Sequence, residues 1–183
     1  MGGFLRGVAA TSASNAWAVG YTDTARRDPV IAHWNGSAWK SVKSPNPTSA
    51  GTSLFGIDAL SATQAWAGGE TGSGPSLFID HWNGSAWTQV AAPKPASGGR
   101  LNGVAVVSAT LAWAVGVTGS GHSLIVHWGG KSWKQVAAPS PSSGGFLYDV
   151  AVASAHSAWA VGYTGDVTSL ILRWNGTSWK VSS

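Results

Sequence analysis

Twelve tryptophans stand along the 183-residue chain, and they fall into three columns that repeat four times in the same order. The first column is Trp17, Trp66, Trp113 and Trp159, at intervals of 49, 47 and 46 residues. The second is Trp34, Trp82, Trp128 and Trp174, and the third is Trp39, Trp87, Trp133 and Trp179. Their surroundings repeat too. AWAVG occupies 16–20, 112–116 and 158–162, with AWAGG at 65–69. HWNGSAW occurs at 33–39 and 81–87, followed by HWGGKSW at 127–133 and RWNGTSW at 173–179. Upstream, LRGVAATSA, LFGIDALSA, LNGVAVVSA and LYDVAVASA open the four units. A fixed period in this range means one supersecondary unit, unable to bury its apolar face alone, stacked on copies of itself.

Each unit reads as four short strands, with no sustained 3.6-residue apolar period that would argue for helix. Asn35-Gly36, Asn83-Gly84, Gly129-Gly130 and Asn175-Gly176 separate the third strand from the fourth, and are expected to form type I′ hairpin turns. The first three strands are apolar on both faces. In the third unit Ile125 and Val126 point to opposite sides of one strand, yet both are aliphatic. Such strands need cover on both sides. Tandem four-stranded sheets supply it, and ~40–50 residues per sheet is the range of propeller blades. The fold expected is all-β: a propeller of four four-stranded antiparallel blades, spanning approximately 4–52, 53–99, 100–145 and 146–183. The joints SPNPTSAG, APKPASGG and APSPSSGG would carry the chain from one blade's outer strand to the next blade's inner strand. Proline there prevents stray strand pairing. The indoles would seal blade against blade, each contributing a few kcal/mol at most, from ~150–250 Å² buried at ~25 cal/mol per Å².

The AWAVG…HWNGxxW unit resembles the Trp-rich propeller repeats found in tandem in bacterial surface and secreted proteins, often labelled kelch-like or galactose-oxidase-like. In blade length and tryptophan density it is also similar to tachylectin-type lectin propellers. The resemblance implies a secreted or cell-surface parent, and the chain reads as a fragment or engineered piece of a longer repeat array. Each unit holds all four of its strands, so none is left over to latch a ring. Two closures follow: a closed four-bladed monomer, or a homodimer of two half-rings making eight blades. The dimer is the expected one.

Chemistry is sparse. With no cysteine, disulfides and thiolate ligands are excluded. The net charge of +4 comes from scattered basic residues, only Arg26 and Arg27 being adjacent, which argues against a nucleic-acid surface. No apolar run is long enough to span a bilayer. His33, His81 and His127 form a column completed by Arg173. They sit on the third strand of diverging blades and cannot meet on one metal, so no metal or cofactor is expected. Acids occupy unrelated repeat positions and no nucleophile motif is present, so no catalytic residue is assigned. The Asn-Gly-Ser/Thr triplets match glycosylation sequons but read better as turn chemistry.

The units disagree most between their second and third strands, at TDTARRDP, ETGSGP, TGSGH and TGDV. By strand parity these loops share one ring face with the joints, and variable loops on a constant scaffold are where specificity is carried. Arg26, Arg27, Asp28, Glu70, His122 and Asp166 are the ligand-binding candidates there. The third tryptophan column, Trp39, Trp87, Trp133 and Trp179, neighbours polar residues and is expected to reach the surface, where sugar rings stack on indoles. The leading expectation is a non-enzymatic scaffold or interaction module that self-associates through blade edges. A carbohydrate-binding propeller is the alternative.

Overall fold

The computed structural model describes residues 2–47, 49–72 and 76–182. It contains four separate antiparallel sheets of four strands, each in simple up-and-down order. The first holds β1 (Gly3–Ser12), β2 (Asn15–Thr22), β3 (Pro29–Trp34) and β4 (Trp39–Val42). The second holds β5 (Thr52–Ser61), β6 (Gln64–Thr71), β7 (Ser76–Trp82) and β8 (Trp87–Val90). The third runs through β9 (Gly99–Ser108), β10 (Leu111–Thr118), β11 (Ser123–Trp128) and β12 (Trp133–Val136). The fourth has β13 (Gly145–Ser154), β14 (Ser157–Thr164), β15 (Ser169–Trp174) and β16 (Trp179–Val181). The inner strands β1, β5, β9 and β13 lie side by side in succession, so the blades fan out from a common inner edge.

Each pair of successive blades encloses its own core. At the first junction Trp17, Val19 and Ile31 pack against Leu54, Ile57, Ala65, Ala67, Phe78 and Trp87. The Trp17 indole lies 4.9 Å from Trp82 and meets Trp87 edge-on at 5.3 Å. Trp66 repeats this against Trp128 and Trp133, and Trp113 against Trp174 and Trp179. Tryptophan therefore recurs because each junction is one indole inserted between two of the next blade. The blades approach most closely at their inner strands. A Cβ on Gly56 would stand 2.6 Å from the Asn102 carbonyl oxygen, and one on Gly103 would stand 2.7 Å from the Asp149 Cα. Glycine is demanded there by the neighbouring backbone.

The arc is open. Trp17, Trp66 and Trp113 are 0–2% exposed, whereas Trp159 is 38% exposed, with the Arg173 guanidinium 5.7 Å from its ring. At the other end Leu5 and Val8 are 61% and 71% exposed, while Leu54, Leu101 and Leu147 at the register of Leu5 are at 0%, and Ile57, Val104 and Val150 at that of Val8 are at 6–7%. The closed four-bladed ring is thus not the arrangement this chain adopts alone.

Two expectations need correction. Trp87, Trp133 and Trp179 are only 4–5% exposed, because their indoles close the junction to the preceding blade. Trp39 alone of that column is exposed, at 49%, since none of the other three blades packs on its side of the first. The Asn-Gly hairpins also differ from type I′ turns. Trp34 pairs with Trp39, leaving a four-residue loop in which Gly36 has positive φ and Asn35 does not. The Asn35 Oδ1 instead accepts hydrogen bonds from the Ser37 and Ala38 backbone N–H groups, and Asn83 and Asn175 do the same.

A candidate ligand site at the mouth of the arc

The inner strands carry the site because each is irregular at the same place. In β1 the pairing jumps from Leu5↔Gly20 to Gly7↔Val19, leaving Arg6 as the bulged residue. Phe55, Asn102 and Tyr148 are bulged at the matching positions of β5, β9 and β13. A β-bulge re-aims its extra side chain, and these four line the inner cavity.

That cavity, ≈ 370 Å³, is lined by Arg6, Tyr21, Arg27, Phe55, Glu70, Arg100, Asn102 and Tyr148, drawn from all four blades. Three guanidiniums lie over aromatic rings. Arg6 is 5.5 Å from the Tyr21 ring centre and donates to the Tyr21 hydroxyl at 2.7 Å. Arg27 lies 5.3 Å from the same ring, and Arg100 lies 5.7 Å from Phe55. Cations over π faces gain from the ring quadrupole, which holds these side chains flat along the wall. The Arg100 Nε–H is buried with no hydrogen-bond partner among the described residues. Glu70 is the only acid in the lining. Burial raises its pKa, and the nearby Arg100 and Arg27 pull it back down. Among the described residues the only ion pair is Arg26–Asp28, so the three arginines outnumber the single carboxylate without being paired.

The variable loops do lie beside the joints: the Gly72 N–H donates to the Gly51 carbonyl, Gly119 to Gly98, and Gly145 to Gly121. Of the six charged loop candidates, Arg27 and Glu70 come together in the mouth. Arg27 reaches it through a left-handed backbone, φ 55°, its N–H donating to the Thr24 carbonyl. Arg26 turns into an adjoining crease of ≈ 350 Å³, and Asp28 accepts both its 2.8 Å ion pair and a hydrogen bond from Asn46. His122 contacts Ser140, and Asp166 is exposed; neither lines the mouth. Arg6, Phe55, Arg100, Asn102 and Tyr148 were missed by sequence reasoning. Their signal was present: four of them fill the changing second position of LRG, LFG, LNG and LYD, directly after a constant leucine.

The histidine column is structural in its contacts. His33, His81 and His127 lie against Trp17, Trp66 and Trp113 with ring centres 4.1–4.4 Å apart, the first pair stacked and the other two tilted, and burial lowers all three pKa values. His33 also bonds Asn15 Oδ1 at 2.8 Å. Among the described residues no three potential metal ligands gather, and no helix is long and apolar enough to cross a membrane.

No protein-family model matches the chain, and no curated protein matches it. Its fold is that of known propellers. The Aleuria aurantia lectin in complex with Fucα1-6GlcNAc superimposes with a TM-score of 0.70 at 13% identity, over 96% of this chain and 60% of that one. The SapL1 lectin in complex with α-methyl fucoside gives 0.71 at 12% identity, over 100% and 62%. YCF48 from Cyanidioschyzon merolae gives 0.62 at 17%, over 98% and 56%. The chain therefore spans about three-fifths of the length of the structures it matches, and its four Trp-rich, all-β sheets follow the course of propeller-type lectins.

Proposed function

We propose that this chain is a non-enzymatic, glycan-binding propeller module that takes its ligand at the mouth of the arc. The supporting observation is the cavity itself, where aromatic faces alternate with hydrogen-bond donors on bulges from four blades. Aromatic rings offer sugars an apolar platform, and a few fixed polar groups orient them. The likeness to fucose-binding propellers gives the same reading independent support. The test is a glycan array probed with the labelled chain. Binding to a defined set of glycans, lost on replacing Phe55 by alanine, is the expected result; an array with no signal overturns the proposal.

A second reading, self-association, is favoured by the two open faces. Leu5, Gly7, Val8, Ala18, Ala32 and Trp39 line a hollow of ≈ 450 Å³ on the first blade, at the register where the second blade receives Trp17. The fourth blade presents an uncovered Trp159. A second copy, docked fourth blade to first, fills both places. Asp149 stands where the other blades have glycine, so by repetition of the inner contact it would face Arg6 of that second copy. Light scattering should give a mass near 37 kDa, twice the 18.7 kDa of one chain; a single-chain mass at every concentration removes this reading.

A further inference from the structure

We infer that the mouth selects sugars bearing a carboxylate, uronate- or sialate-type pyranoses, over neutral ones; this rests on the glycan-binding reading above. Arg6 and Arg27 from the first blade and Arg100 from the third converge on one cavity of ≈ 370 Å³. That volume falls within the ~300–1,000 Å³ usual for small-molecule sites. The arrangement is costly for the chain alone, because like charges repel and only Glu70 stands among them. An anionic ligand relieves that repulsion. Guanidinium is the cation best shaped for a carboxylate, offering two parallel N–H donors.

The remaining lining separates an acidic sugar from a bare anion. Phe55 and Tyr148 provide apolar faces for the C–H side of a pyranose ring. Glu70 accepts hydrogen bonds when ionised, a use for an acid here that a simple anion does not supply but sugar hydroxyls do. Asn102 is already anchored, its Nδ2 donating to the Leu147 carbonyl at 2.7 Å, so its Oδ1 is held in place as a further acceptor. The buried Arg100 Nε–H, without a partner among the described residues, is the donor that most needs the ligand.

The decisive measurement is calorimetric titration with methyl β-glucuronide and methyl β-glucoside, which share one ring and differ only at C6, and with acetate, a carboxylate without a ring. The glucuronide should bind at least tenfold more tightly than the glucoside. That preference should weaken with added salt and be lost in Arg100→Gln and in Arg6→Gln. Arg6 is exposed, so its variant tests the site even if Arg100→Gln fails to fold. Equal binding of the two glycosides, retention of the preference in both variants, or acetate competing as well as the glucuronide overturns the inference. If neutral glycans bind on the array while the glucuronide shows no advantage, the acidic-sugar inference fails and the glycan-binding reading stands. If no glycan binds, both fall.

Discussion

Asp80 occupies a position that the other blades give to Ala32, Val126 and Leu172, each paired with the matching alanine of the second strand. It is fully buried in the first junction, where Ser44 donates to its Oδ2 at 3.0 Å and its Oδ1 has no hydrogen-bond partner among the described residues. Burial raises its pKa to about 7, against the smaller opposing effect of the Ser44 hydrogen bond. The folded state therefore holds a proton that the unfolded chain releases near pH 4. Between pH 4 and pH 7 the folded state binds more protons, so stability falls as pH rises, by at most about 4 kcal/mol. The histidine column acts in the opposite direction. Its lowered pKa values mean that stability is present above pH ~6.5 and lost as pH falls below it. Replacing Asp80 by valine, which the third blade already accommodates at this register, should raise stability at pH 8 by ~1–3 kcal/mol and remove the largest part of the fall with rising pH. What remains is the histidine slope and the smaller effects of Glu70 and Asp58, whose pKa values burial also raises. Urea titrations of both proteins at pH 5 and pH 8 check it; an unchanged pH profile in the variant would mean that Asp80 is not the group responsible.

At the scale of the element, the inner-strand bulge does two jobs: it aims one side chain into the mouth and places glycine against the next blade. Gly7, Gly56 and Gly103 follow the bulged residue in the first three blades, and Asp149 does so in the fourth. The difference matches the neighbours, because the Cβ of an alanine at 103 meets Asp149 backbone, while Asp149 is exposed at the open end. Gly103→Ala should cost ~1–3 kcal/mol through overpacking, and Asp149→Ala less than ~0.5 kcal/mol. Thermal unfolding of the two variants separates them, and equal losses would contradict the assigned inner contact. Strand number, joints and the shared face of the variable loops were legible in the sequence, because they depend on period and parity, and those survive any single substitution. The hairpin type was not. Asn35 looks like a residue needed for its φ, yet its carboxamide does the work, which composition alone cannot distinguish. The mouth escaped because a bulge shifts register by one, so alternation assigns Arg6 and Phe55 to the wrong side. The exchange of LxG for LYD at 147–149 marked the open end, but its meaning depends on knowing what the glycine touches.

For the whole molecule, three internal junctions hold a chain whose two end faces have the chemistry of a fourth junction left unmade. Repeat arrays behave as sums of unit and neighbour terms, and uncapped ends lower both solubility and stability. In the proposed two-chain ring of eight blades, the junction between copies can be looser at its inner edge than the junctions within one chain. Asp149 in place of glycine is compatible with such a looser inner contact, since it needs room that the Gly103 site lacks. A contact of this head-to-tail kind must close on itself or run on as a filament. Val8 and Val161 lie on the two opposed faces and are 71% and 45% exposed in the single chain, so arginine at either should leave folding intact. Each substitution alone should reduce the two-chain mass to that of one chain and abolish any rise of melting temperature with concentration. A Val8→Glu chain mixed with a Val161→Arg chain should regain the two-chain mass, because one junction then sets an acid against a base and the other keeps both native valines. Association that survives both arginine variants would place the contact on another surface and leave the end faces without a partner.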